Sequence, residues 1–158
     1  MMDNRRNQRQ RFNSPKISEY EEKVIEIKRV SKKIKGGNDV GFTALVVLGN
    51  RNGKVGHGYG KAKNVAEAIQ KALTSAKKKM VNIKLTGKTI AHDVDSKLGS
   101  ARVALRPASE GTGIIAGGSV RVVVELAGIK DISAKMFGSS NKLLNVRCTI
   151  KALGKLKK

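Results

Sequence analysis

The first stretch with a recognisable hydropathy pattern is Val24 to Val30 (VIEIKRV), β-branched and partly alternating, which predicts a strand. Ser31 to Asp39 (SKKIKGGND) breaks that pattern and reads as a basic loop ending in turn residues. Phe42 to Leu48 (FTALVVL) predicts a second strand, apolar on both faces, with Phe42, Ala44, Val46 and Leu48 on one side. Gly49-Asn50-Arg51-Asn52-Gly53 supplies residues that tolerate positive φ and predicts a hairpin turn. In the third strand, Lys54 to Gly60, Val55, His57 and Tyr59 alternate with Gly56, Gly58 and Gly60. Glycine at every second position leaves one nearly bare face, which another backbone or a helix can approach closely.

Asn64 opens the clearest helix. Asn64 and Glu67 have capping-box spacing, and Val65, Ile69, Ala72, Leu73, Ala76 and Met80 recur at three- and four-residue steps as one apolar stripe. Lys77, Lys78 and Lys79 suit the negative end of the helix dipole. The first unit is therefore strand, strand, strand, helix: an antiparallel sheet with a helix on one face.

Residues 81–90 (VNIKLTGKTI) predict a short strand and turn leading to a second unit. Arg102 to Arg106 is a strand closed by Pro107, and Ala108 to Gly118 is a loop punctuated by glycine. Ser119 to Ile129 (SVRVVVELAGI) is ambiguous. Its valines favour a strand, while Val120, Val123, Val124 and Ala127 fit a helical stripe; propensity by itself makes it a strand. Residues 131–137 are extended, and Asn141 starts a C-terminal helix with Leu144, Val146, Ile150 and Leu153 roughly inward. If the ambiguous segment is helical, the second unit reads βαβα. No internal repeat is visible.

Charge changes the picture most. The 158 residues carry 33 Lys+Arg against 12 Asp+Glu, a formal net charge of +21, divided as +12 over residues 1–81 and +9 over 82–158. Such a surplus repels itself in a compact state and calls for a polyanionic partner. Hydrophobic residues at 39% allow a modest core, but aromatics at 3% and no Trp make that core aliphatic and argue against broad base-stacking platforms. Cys148 is the single cysteine, so no intramolecular disulfide or cysteine-rich zinc site is available. No apolar run approaches a membrane span, and the N-terminus lacks the apolar stretch of a secretory signal. The expectation is a soluble, intracellular protein that binds a polyanion. Residues 1–16 hold four arginines within seven positions and almost no apolar side chains, which predicts an unstructured arm that orders on RNA.

A catalytic reading finds little support. His57 lies in the glycine-alternating strand and is expected to be structural or RNA-facing; His92, Asp93 and Asp95 have no second cluster of ligands, and Cys148 reads as a small buried hydrophobe. Gly56 to Lys61 precedes a helix but has Val55 and Ala62 where a Walker loop needs Gly and Ser or Thr. Gly111 to Ala116 is a literal G-x-G-x-x-A with Asp131 twenty residues on, but Gly117-Gly118 falls where a dinucleotide-binding helix should already be running. What remains are glycine-containing loops with cations at element ends, suited to phosphate oxygens: Arg29, Lys32, Lys33, Lys35, Gly36 and Gly37, and then Lys61 and Lys63 at a helix N-terminus.

Gly58 to Lys63 running into an amphipathic helix looks like the strand-to-helix segment of double-stranded-RNA-binding domains. Arg29-Val30-Ser31-Lys32, Lys35-Gly36-Gly37, Phe42 to Leu45, Gly56 to Lys61 and the run Pro107 to Gly118 together resemble the bacterial type of small-subunit ribosomal protein five, in order, from about Glu22 to Leu153. The resemblance implies an α+β chain: a basic arm over 1–21, a double-stranded-RNA-binding-like β-β-β-α domain over 22–85, and a small α/β domain over 86–158 with a left-handed βαβ crossover. It also makes Ser119 to Gly128 a helix. It implies a non-enzymatic rRNA-binding protein without cofactor or metal, resident in the ribosome, that supports the junction of head and body and helps set decoding accuracy. Implied partners are small-subunit rRNA, proteins four and eight, and mRNA at its entrance channel with proteins three and four. The expected rRNA-binding residues are Arg29, Lys32, Lys33, Lys35, Gly36, Gly37, Arg51, Lys61, Lys63 and Arg102. Arg29 also matches an arginine of the mRNA channel, and Gly113 and Arg121 match the interface with protein four. Two other readings are a freestanding double-stranded-RNA-binding regulator and a nucleotide-dependent enzyme using Gly111 to Ala116.

Overall fold

The computed structural model describes residues 19–156, so the expected basic arm falls almost wholly outside the described residues. Three long strands come first: β1 (Glu21–Ile34), β2 (Gly37–Gly49) and β3 (Lys54–Ala62). They form an antiparallel sheet in the order β1-β2-β3, extended at its edge by the two-residue β4 (Val81–Asn82). The segment Ser31 to Asp39 is not a loop. The β1–β2 ladder continues through Lys32↔Asp39 to Ile34↔Gly37, and the reversal is confined to Lys35 and Gly36, where Gly36 has φ +90. Residues 31–39 are all exposed, so the hairpin's outer half has no buried face to impose alternating hydropathy. That is why a strand there looked like a loop.

The helix α1 (Val65–Lys78) lies on the face that carries Gly56, Gly58 and Gly60. A Cβ added to Gly58 would come within 1.8 Å of the Ala72 carbonyl oxygen, and one on Gly60 within 2.2 Å of that of Ala68. The bare strand therefore does accept a helix backbone, as its glycines predict. The buried stripe, however, is Ala68, Ala72 and Ala76; Val65, Ile69, Leu73 and Met80 are only half-buried. At so close an approach only alanine fits between helix and strand, and the longer side chains pack to one side. The capping box does not close either: Asn64 makes no side-chain cap, and its amide instead donates to the Glu67 carboxylate at 3.4 Å.

The second unit runs β5 (Val94–Leu98), β6 (Ala101–Pro107), β7 (Ile114–Ile115), α2 (Gly118–Ala127), β8 (Ile132–Gly138) and α3 (Lys142–Gly154). Its sheet has the order β5-β6-β8-β7, antiparallel except that β7 pairs parallel to β8, so β7-α2-β8 is a βαβ unit. The valine-rich segment is helix, against its propensity and in line with the resemblance. Val120, Val123, Val124, Leu126 and Ala127 are buried on one side, and Gly128 terminates the helix at φ +93. The propensity penalty of a valine is a few tenths of a kcal/mol, whereas burying its side chain is worth about 1.5 kcal/mol or more. Asn141 caps α3 by accepting from the Leu143 amide at 3.0 Å.

The two units share one core. On the sheet face opposite α1, Leu45, Val47 and Val55 join Val103, Leu105, Val120, Val123, Val124 and Leu153 in a single aliphatic cluster. The β2–β3 turn reinforces this junction: the Arg51 amide donates to the Leu126 carbonyl at 3.0 Å and the Gly53 amide to that of Ala127 at 2.9 Å. Two of the carbonyls left free at the end of α2 are thereby satisfied from the other unit.

Candidate nucleic-acid interface

The exposed half of the β1–β2 hairpin is a finger about 20 Å long, taking six residues from Val30 to the turn at roughly 3.3 Å each. Strand alternation places Arg29, Ser31 and Lys33 on one side and Lys28, Lys32 and Ile34 on the other. Lys35 and Gly36 form the tip. Six of the ten expected rRNA-binding residues thus lie along one hairpin: Arg29, Lys32, Lys33, Lys35, Gly36 and Gly37.

Lys61 and Lys63 come next to this finger. With Lys32 and Lys71 they line a groove of about 400 Å³, which also includes Asp39, Gly41 and Glu67. The ladder puts Lys61 opposite Thr43, and Lys63 lies just before the first turn of α1, where unpaired amides face outward. Four ammonium groups against two carboxylates leave the groove net positive. Lys71 was missed in the sequence. The available signal was its position four residues after Glu67, on the exposed side of α1.

The other expected residues lie elsewhere. Arg51 sits beyond the opposite end of β2 from the fingertip, roughly 40 Å away by strand length. Its guanidinium grips Glu21 at 2.6 and 3.0 Å, a bond that holds the Glu21 carboxyl below its usual range. Arg102 is on the outer face of the second sheet, 2.6 Å from the Asp95 carboxylate and 5.9 Å from the Phe137 ring centroid. Arg121 lines a depression of about 350 Å³ together with Ile114, Glu125, Lys130 and Arg51, and Gly113 directly precedes Ile114 in the chain.

The dinucleotide-like loop is held from inside. Buried Asp131 accepts from the Gly111 amide at 3.1 Å and the Gly113 amide at 2.8 Å, so the amides that a pyrophosphate would need are engaged. His57 points from β3 toward the second unit, where burial and then the charges of Arg147 and Lys79 lower its pKa to about 4. It is therefore a neutral ring at pH 7. Asp93 and Asp95 pair with Arg106 and Arg102, and the buried Cys148 thiol donates to the Ser96 carbonyl. No helix among the described residues is long and apolar enough to cross a membrane.

Comparison with known proteins meets this geometry. The family model described as ribosomal protein S5, N-terminal domain, matches residues 20–84, and the model for the C-terminal domain matches residues 96–158. Small ribosomal subunit protein uS5 of Campylobacter jejuni subsp. jejuni serotype O:23/36 (strain 81-176) is 58% identical over 139 residues, covering 88% of this chain and 95% of the relative. The same protein from C. jejuni strain RM1221 matches to the same extent. A basic finger and groove on a two-unit α+β chain, matched by both halves of one family, lead to one conclusion: the chain belongs to the ribosomal protein S5 family.

Proposed function

We propose that this protein is a structural rRNA-binding component of the small ribosomal subunit that fixes head–body geometry, contributes to decoding accuracy and lines part of the mRNA entrance channel. The observation that carries the reading is the finger: a hairpin exposed on both faces, with Arg29, Lys32, Lys33 and Lys35 along it, continuing into the Lys61–Lys63–Lys71 groove. Lysines and arginines there replace counterions around rRNA phosphates, while Gly36 and Gly37 let the main chain come close. Arg29, at the root of the finger, is the residue assigned to mRNA. Gly113, next to Ile114, and Arg121, which lines one depression with Ile114, are assigned to protein four, and protein eight is the further neighbour. The Asp131 hydrogen bonds support the second assignment, because they give the Gly113 loop a fixed shape to present. The test is a filter-binding titration of the full chain against its rRNA region across a salt series. Affinity is expected to fall by about 0.7–0.9 log units per tenfold salt for each phosphate neutralised. A flat response rejects the reading.

A further inference from the structure

Among the described residues, nothing covers the outer face of the second sheet. Along β6, Ala101, Val103 and Leu105 are buried while Arg102 and Arg106 point outward. The register sets Lys97, Arg102 and Phe137 in one cross-strand row, and Asp95, Ala104 and Lys135 in the next. Phe137 is 47% exposed in a chain with five Phe and Tyr residues and no Trp. Asp95 holds the Arg102 guanidinium, whose central carbon is 5.9 Å from the Phe137 centroid, so the cation and the ring form one preset platform.

We propose that this face receives a single-stranded stretch of RNA, with one base stacked on the Phe137–Arg102 platform and the flanking phosphates drawn to Lys97, Lys135 and Arg106. The inference deepens the rRNA-binding reading and rests on it. Charge selects the partner: Lys97, Arg102, Arg106 and Lys135 outnumber Asp93 and Asp95, and the two lysines have no acidic partner among the described residues. Shape selects an unpaired strand, because a flat pleated face offers stacking and a track of cations rather than a ridge that could span a duplex groove. A protein partner fits less well. The exposed apolar residues Phe137 and Ile115 are separated by about 13 Å along β8, with Lys135 and Ser133 between, and they form no continuous apolar centre.

The test uses the full chain and a short, mixed-sequence single-stranded RNA, followed by fluorescence anisotropy over a salt series and by ultraviolet crosslinking mapped to peptides. Phe137→Thr, which suits a strand, is expected to weaken binding at least about fivefold at every salt concentration without changing the salt slope. Lys135→Gln is expected instead to reduce the slope by about 0.7. The wild type should crosslink within residues 132–138, and Phe137→Thr should lose that crosslink. If Phe137→Thr folds poorly, Phe137→Tyr should bind as the wild type does while Arg102→Gln weakens binding. Equal binding by ring-bearing and ring-less variants, or a loss of ribosomal-protein association with RNA affinity intact, overturns the inference. A wild-type chain that binds neither this RNA nor its rRNA region overturns the broader reading as well.

Discussion

An added methyl at Gly58 would lie 1.8 Å from the Ala72 carbonyl oxygen and 2.8 Å from the Ala76 amide nitrogen, both backbone atoms of α1. Gly58→Ala therefore has to push the helix off its strand, and a destabilisation of about 2–4 kcal/mol is expected from the urea midpoint. Gly118→Ala is the control: open space surrounds its Cβ position, and the change should fall within about 1 kcal/mol of neutral. His57 gives a second residue-level outcome. Its folded pKa, lowered to about 4 by burial and by Arg147 and Lys79, lies below the value near 6.5 of a free imidazole. Below pH 6.5 the unfolded chain takes up a proton that the folded one refuses. The stabilisation tied to the neutral ring is thus complete above pH 6.5 and is lost as pH falls from there toward 4. Allowing for the ring's partial exposure, it amounts to about 1–3 kcal/mol. A His57→Phe variant should show a flatter stability profile than the wild type through that window in urea unfolding followed by circular dichroism.

At the scale of elements, the finger carries charge without carrying the core. Replacing Lys32, Lys33 and Lys35 by Ala is expected to lower the rRNA salt slope by about 2 while leaving stability within about 0.5 kcal/mol, because residues 31–39 are all exposed. Binding titrations and thermal melts of the triple variant check both halves of that statement. The finger also marks a limit of what the sequence discloses. Hydropathy alternation records burial, and Ser31 to Asp39 bury nothing, so a regular strand left no trace there. The bare face of Gly56, Gly58 and Gly60 was legible because it is a local property of one strand. Which residues of α1 would meet that face was not, since the separation of helix and strand decides between Ala68 and Leu73. The helix of Val120 to Ala127 was likewise hidden from propensity, because its stabilisation comes from the partners it buries against. Lys32, Lys61 and Lys63 could each be singled out in the sequence as candidate cations, but their meeting with Lys71 in a groove is a fact of three dimensions.

For the whole molecule, the decisive arrangement is a sheet with apolar side chains on both faces, α1 against one and the second unit against the other. The run Phe42 to Leu48 announces two covered faces without saying what covers them. A fragment spanning residues 19–85 would leave Leu45, Val47 and Val55 exposed to water. It is expected to self-associate in sedimentation and to bind an apolar dye, and the intact chain is expected to do neither; a monomeric, dye-silent fragment would show that the first unit stands alone. The β2–β3 turn sets a further constraint on how such chains can vary. Surface turns ordinarily absorb insertions freely. Here the amides of Arg51 and Gly53 complete a helix in the other half of the molecule, so a single extra residue between Gly49 and Lys54 would strand the carbonyls of Leu126 and Ala127. A connection that looks free to drift in length is in effect locked to the size it has.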